Sequence, residues 1–259
     1  MCVIYLAFRA HSRYRLAVAA NRDEFHDRPT AGISEWEDEP GMIAGRDLRS
    51  GGTWMGVHAR GRFAALTNFR EPLPQAPDAP SRGALVASYL AEGGEPARWL
   101  DSLAPRATFF AGFSLFVSDL ETLGHFSNRS GGASLLGPGI YAISNGLQGD
   151  PWPKVIRGRE GFARALDATA GDALVERLLE ILGDATAAED PHLPRTGVGI
   201  ERERMLSPIF IRGEDYGTRS SSVILIGEDG EGVFVERSFG AGGVERETRE
   251  KRFLVSPAR

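Results

Sequence analysis

The sequence predicts an α+β fold in which mainly antiparallel sheets are covered by helices on both sides, and three of its features carry that expectation. Strand-like runs come in hairpin pairs. Helical stretches fall in two batches between those pairs instead of alternating with them one for one. The first strands are apolar on consecutive residues, as in a sheet buried on both faces. Residues 3–8 (VIYLAF) and 14–20 (YRLAVAA), separated by the polar stretch 9–13, read as a hairpin that opens the chain. A second hairpin is expected at 53–58 and 63–68, joined by 59–62. The proline-rich stretch 71–81 reads as a loop ending in Ser81, a cap for a helix starting at Arg82-Gly83-Ala84. Gly93-Gly94 then breaks that helix ahead of another at 95–103. Residues 113–120 and 121–128 read as a third strand pair, and 140–144 as a strand running into Asn145-Gly146. From 160 to 183 the apolar positions Phe162, Ala165, Leu166, Leu174, Leu178, Leu179 and Leu182 recur at helical spacing, interrupted near Gly171-Asp172. A polar loop is expected over 184–207, followed by strands at 207–212, 221–227, 232–237 and 249–255. No internal repeat or clean linker divides the chain, so residues 1–259 are expected to form one domain.

Composition narrows the function. A chain of 259 residues with 42% hydrophobic and 25% charged content suits a globular protein. The net charge of -5 argues against a nucleic-acid partner. Arginine far outnumbers lysine, and Lys154 and Lys251 are the only lysines. A lysine base is therefore not expected, whereas recognition of anions by arginine is. Cys2 is the sole cysteine, which excludes an internal disulfide and a cysteine-rich zinc site and suits a reducing compartment. No apolar run approaches the roughly 20 residues of a membrane span, and the opening run is too short for a signal peptide. The expected address is cytoplasmic. The five histidines lack metal-ligand spacing, so neither a metal nor a resident cofactor is expected. Were haem bound, Cys2, His26 and His58 would be the candidate axial ligands.

Several residues stand out as chemistry-bearing, each with a plain structural alternative. Loss of Met1 ahead of a small residue would leave Cys2 with both a thiol and an α-amine. That amine, with an ordinary pKa of about 7.7, can serve as a general base near neutrality. Asn21-Arg22-Asp23-Glu24 closes the second apolar run, where the paired first strand brings Cys2 near. Asp23 could hold the α-ammonium and Arg22 could favour a thiolate, or the two could form a solvated pair at a hairpin exit. Gly51-Gly52-Thr53-Trp54 lacks a phosphate-loop pattern and reads as a sharp entry into a strand. Trp54 and Trp152 are either pocket walls or core residues, and Arg28 is either an anion contact or part of a strand-exit turn.

Five segments together resemble the NRDE family, which includes the transport and Golgi organisation proteins of animals and many bacterial relatives. They are MCVIYLAF, AANRDEFHDRP, GGTWMGVHARGRFAALTNFREP, YAISNG with Trp152 close behind, and DYGTRSSSVILI. The family in turn is similar to the choloylglycine hydrolase and penicillin acylase branch of the N-terminal nucleophile hydrolases. That second resemblance implies an αββα sandwich and a cysteine-type amidohydrolase acting on non-peptide C–N bonds. It also implies roles: Cys2 as nucleophile, Asp23 as its hydrogen-bonding aspartate, Asn68 and Asn145 as oxyanion-hole groups, and Arg219 as the arginine beside the nucleophile. The hydrolases place a further arginine where this chain has Ala20. Arg22 is the nearest replacement, and strand alternation is expected to turn it away. The retained cysteine and asparagines point to an enzyme acting on a small acyl or amide compound. The alanine points to a non-catalytic carrier, for which the resemblance suggests haem mobilisation or acyl-CoA and lipid handling.

Overall fold

The computed structural model describes residues 2–72 and 79–256. In chain order the elements are β1 (Cys2–Phe8), β2 (Tyr14–Phe25), β3 (Thr30–Trp36), β4 (Glu39–Asp47), β5 (Met55–His58), β6 (Arg62–Asn68), α1 (Gly83–Glu92) and α2 (Pro96–Leu103). They continue with β7 (Phe113–Ser118), β8 (Leu123–Ser127), β9 (Gly132–Leu136), β10 (Gly139–Ile143), α3 (Pro153–Ala168), α4 (Gly171–Leu182) and α5 (Ile200–Met205). Strands β11 (Tyr216–Gly227), β12 (Glu231–Phe239) and β13 (Glu245–Leu254) follow.

The strands form two antiparallel sheets. One runs β10-β1-β2-β11-β12-β13 and the other β3-β4-β5-β6-β7-β8-β9. Strand β1 shows why the sheets stack. Its alternate residues Ile4, Leu6 and Phe8 join Leu16, Val18, Val57, Phe63 and Phe116 in a core between the two sheets. Its other face, Val3, Tyr5 and Ala7, packs with Ala17 and Ala19 against α3 and α4. Helices α1 and α2 cover the outer face of the second sheet through Leu85, Val86, Tyr89, Trp99 and Leu100. The layers are therefore helix, sheet, sheet, helix. Close approach fixes α3: a Cβ on Gly158 would fall 2.0 Å from the Tyr5 hydroxyl, which donates to the Lys154 carbonyl at 2.8 Å. Among the described residues no helix is long and apolar enough to cross a membrane.

Several boundaries differ from the sequence expectation. Strand β2 does not stop at residue 20. It carries the polar NRDEF run inside the sheet, because β11 pairs with all of it, from Asn21 to Phe25, and β1 pairs with it as far as Arg22. Strands β3 and β4 were not read from the sequence, since glycine, proline and acidic residues dilute their apolar positions. Strand β9, mostly solvent-facing at the edge of the second sheet, was missed for a similar reason. Helix α3 begins at Pro153, where proline fits the first helical position, rather than at 160. Residues 207–212 form no strand; they are held by single hydrogen bonds such as Phe210 N–H to the Asp184 carbonyl at 2.9 Å. The expected loop at 184–207 contains the short α5. Ser81 does not cap α1, whose N-cap residue is Arg82 and which has no side-chain cap. Of the proline-rich stretch, residues 73–78 lie outside the described residues, as does Met1.

Candidate functional site

Cys2 opens β1 directly across from Arg22 of β2, and Arg22 lies directly across from Ser220 of β11. Directly paired residues share a face of the sheet. This one is the face that carries Ile4, Leu6, Val18 and Ala20 into the inter-sheet core. Past Ile4 and Ala20 the apolar filling ends, and the two sheets enclose a cavity of about 320 Å³. Cys2, Arg22, Ser220 and Glu236 border it from the first sheet, and Gly45, Asp47, Leu66 and Asn68 from the second. Cys2 is 5% exposed. Burial raises its thiol above the ordinary range, with the charge of Asp23 adding to the rise and Arg22 opposing it.

The neighbouring face of β2 is closed. Asn21 donates to the carbonyls of Leu182 and Ile209, at 2.8 and 2.9 Å, and so points to the helix layer. Asp23, two residues on, shares that side. Thr218 Oγ1 donates to Asp23 Oδ1 at 2.8 Å, and the Tyr216 hydroxyl donates to the Asp23 carbonyl at 3.2 Å. Burial raises the Asp23 carboxyl, and Lys154 is foremost among the side-chain charges opposing that rise. Lys154 itself is 1% exposed, and among the described residues its Nζ has no hydrogen-bond partner. Burial pushes the ammonium down to about 8, against the stabilising charge of Asp23. Next to it, Arg70 forms a buried ion pair with Glu203 and lies 4.6 Å over the Trp152 ring. The Glu203 carboxylate also accepts from Thr196 N–H and Oγ1 at 3.0 and 2.6 Å.

Of the residues singled out from sequence, Cys2, Arg22, Asp23, Asn68, Trp54 and Arg28 border the one cavity. Arg28 already holds a carboxylate, donating to Asp47 Oδ2 from Nε at 3.0 Å and from a terminal nitrogen at 2.6 Å. Asn145 and Trp152 border a different cavity of about 570 Å³, with Arg70 and His192. The Asn145 amide donates to the Asn68 carbonyl at 2.9 Å, and the adjacent Ser144 hydroxyl lies 2.9 Å from the Cys2 carbonyl. Asn145 thus ties the Asn68 strand end to β1 instead of facing the thiol's cavity. Arg219 sits at the bulge between Thr218 and Ser220 and donates to the carbonyls of Phe25 and Arg28, at 2.7 and 3.1 Å. It fastens the turn after β2 and does not border the Cys2 cavity. The expected turning-away of Arg22 is corrected by the register. Residues 20 and 22 lie two apart and share a face, so Arg22 occupies the Ala20 side of the strand, one pleat nearer the cavity. Neither His26 nor His58 borders this cavity.

Comparison with known proteins agrees with this architecture. A mutant of the conjugated bile acid hydrolase from Clostridium perfringens superposes with a TM-score of 0.54 at 8% identity. The match covers 97% of this chain and 92% of that one, a likeness of fold in the N-terminal nucleophile hydrolase class. The family model described as Transport and Golgi organisation 2 matches residues 1–241. The chain belongs to that family. It is 33% identical over 261 residues to the Transport and Golgi organization 2 homolog of Mus musculus, covering 92% of this chain and 93% of that protein. It is 34% identical over 258 residues to the Homo sapiens homolog, with coverage of 92% and 93%.

In this member of the Transport and Golgi organisation 2 family, sequence reasoning missed Lys154, Arg82, Thr218 and Glu236. Lys154 had a signal: it is one of two lysines in an arginine-rich chain, directly after Trp152-Pro153 at a helix start. Arg82 was read only as a helix start, yet it borders the Cys2 cavity from the second sheet's side. Thr218 and Glu236 carry no signal in the sequence, because only register brings them to β2 and β3.

Proposed function

We propose that this protein acts on a small acyl or amide compound through Cys2, made N-terminal by removal of Met1. The observation that carries the reading is the position of the Cys2 side chain, bordering a polar cavity with Arg22 and Asn68 and one strand residue from Asp23. A thiol kept protonated by burial needs a base at the moment of attack, and the α-amine of the same residue is the base within reach. The amine takes the thiol proton as sulfur attacks the carbonyl carbon. Asp23 stabilises the resulting ammonium, and the oxyanion is met by donors near Asn68. The ammonium then gives its proton to the departing nitrogen as the C–N bond breaks, leaving a thioester. Water, deprotonated by the same amine, releases the acid and restores the thiol.

Intact mass followed by reaction with an activated acyl ester tests this reading. The expected result is loss of Met1 and a single acyl adduct on Cys2, formed faster than on a peptide beginning with cysteine. Retained Met1, or a rate equal to the peptide's, would overturn it. A second reading, a non-catalytic carrier of haem or an acyl-CoA-type ligand, draws support from Asn145 and Arg219. Both spend their donors on backbone carbonyls, Asn145 on that of Asn68 and Arg219 on that of Phe25, and neither borders the cavity. Saturable binding of haemin or palmitoyl-CoA that survives Cys2→Ala, with no acyl adduct in the parent protein, is the outcome that favours the carrier.

A further inference from the structure

Five arginines border the Cys2 cavity, and their charges are not equally matched. Arg28 is chelated by Asp47, and Arg46 by Asp38 at 2.6 and 2.8 Å. Arg49 is exposed to solvent. Arg22 is 7% exposed. Its nearest carboxylate among the described residues, Glu24, stands 3.9 Å away, and the one hydrogen bond of its guanidinium there is a long one to Thr30 Oγ1 at 3.4 Å. Arg82 makes no ion pair among the described residues, and the one hydrogen bond of its guanidinium there runs to the Gly112 carbonyl at 3.0 Å. Glu24 and Glu71 favour the Arg82 charge from a distance without forming an ion pair with it among the described residues, and the other carboxylates are engaged elsewhere. Asp23 faces Lys154, and burial raises the Glu236 carboxyl, which accepts from Ile33 N–H at 3.0 Å and from Ser220.

Arg82 is also well placed. When the Cys2 thiol ionises, its charge is the one that would act most strongly on the Arg82 guanidinium, ahead of Glu24 and Glu71. It stands at the start of α1, whose first N–H groups have no side-chain cap and add positive potential to the same wall. That start is clamped: a Cβ on Gly52 would lie 2.6 Å from the Gly83 carbonyl carbon, and Thr53 N–H donates to the Gly83 carbonyl at 3.2 Å. Arg82 borders the cavity from the second-sheet side and Arg22 from the first, where it is paired directly across from Cys2. A guanidinium held in a cleft without a carboxylate offers a planar fork that a carboxylate matches with two parallel hydrogen bonds.

We propose that Arg82, with Arg22 opposite, forms an anion subsite beside Cys2, so that the compound taken there carries a carboxylate a few bonds from the group facing the thiol. This deepens the reading of Cys2 as the reacting residue and rests on it, yet it can be tested apart from hydrolysis. Cys2 is the sole cysteine, so alkylation by iodoacetate and by iodoacetamide at one pH reports on one thiol. The ratio of the two rates cancels the thiolate fraction. Relative to a cysteine peptide, the full-length protein should favour iodoacetate by about tenfold, falling in 1 M NaCl. Arg82→Gln should return the ratio to the peptide value, Arg82→Lys should keep part of the preference, and Arg177→Gln on the outer helix layer should change nothing. Glutarate should protect the thiol in the parent protein and not in Arg82→Gln.

A parent ratio equal to the peptide's, or a ratio unchanged in folded Arg82→Gln, overturns the subsite. If neither reagent reaches the thiol, thermal shift by glutarate decides, and no shift in the parent protein overturns it equally. If inorganic phosphate protects and glutarate does not, the carboxylate assignment fails. Slow alkylation by both reagents with the ratio preserved would instead strike the nucleophile reading and leave the subsite standing.

Discussion

The two faces of β2 hold similar charges and use them differently. On the helix-facing side, Asp23, Lys154, Arg70 and Glu203 are buried, and each charge depends on a specific neighbour. On the cavity side, Arg22, Arg28 and Arg82 line the cavity, and only Arg28 is fully matched. The difference teaches where substitutions should register. A buried charge that loses its partner cannot recover solvation, so its loss appears in folding free energy. A cavity arginine borders open space, so its loss appears in what binds.

The sharpest way to break this contrast is Arg70→Met, which leaves Glu203 buried without its cation. A loss of about 3–5 kcal/mol in unfolding free energy is expected by urea denaturation. A loss below about 1 kcal/mol would mean that the buried cluster is not governed by pairing. Next in size is the pH response of Lys154, pushed down to about 8 from an ordinary 10.5. Below pH 8 the lysine is charged in both states, and the full cost of burying that charge is present. Between pH 8 and 10.5 only the unfolded chain binds the proton, so stability rises with pH; above 10.5 the cost is gone. The gap corresponds to about 3 kcal/mol, and the rise should vanish in Lys154→Met when unfolding is compared at pH 7.5 and 10. Arg28→Ala, removing a half-buried bidentate pair with Asp47, should cost about 1 kcal/mol in the same assay. Arg82→Gln should cost less than about 1 kcal/mol, since one backbone hydrogen bond is all it loses. If Arg82→Gln destabilised the fold as strongly as Arg70→Met, the distinction between the faces would fall.

The same contrast explains which parts of the molecule were legible in the sequence. Strand β1 and the hairpin of β5 and β6 announce themselves because nearly every residue is buried, and apolar runs reveal that directly. The tail of β2 misleads because its buried residues are polar: Asn21, Arg22 and Asp23 resemble a strand exit until β11 is seen paired beside them. Strands β3 and β4 are half-exposed and rich in glycine and acids, so no periodicity marks them. Among the candidate site residues, Cys2, Arg22, Asp23 and Asn68 are singled out by their motifs, and the fold brings them to the border of one cavity. Asn145 and Arg219 were named as well, yet their donors are committed to main-chain carbonyls, a matter of side-chain direction that spacing does not encode. Lys154 escaped because scarcity of lysine argued against a lysine in the chemistry, when a lone buried lysine is an anomaly in its own right.

The placement of β1 has a practical consequence for anyone handling the protein. The chain enters this strand at the cavity, between β10 and β2 in the middle of a sheet. An affinity handle or reporter fused ahead of Cys2 would be joined to a residue that borders the cavity. At the far side of the same sheet, β13 is an edge strand dense in exposed charged side chains, a surface that resists pairing with another strand.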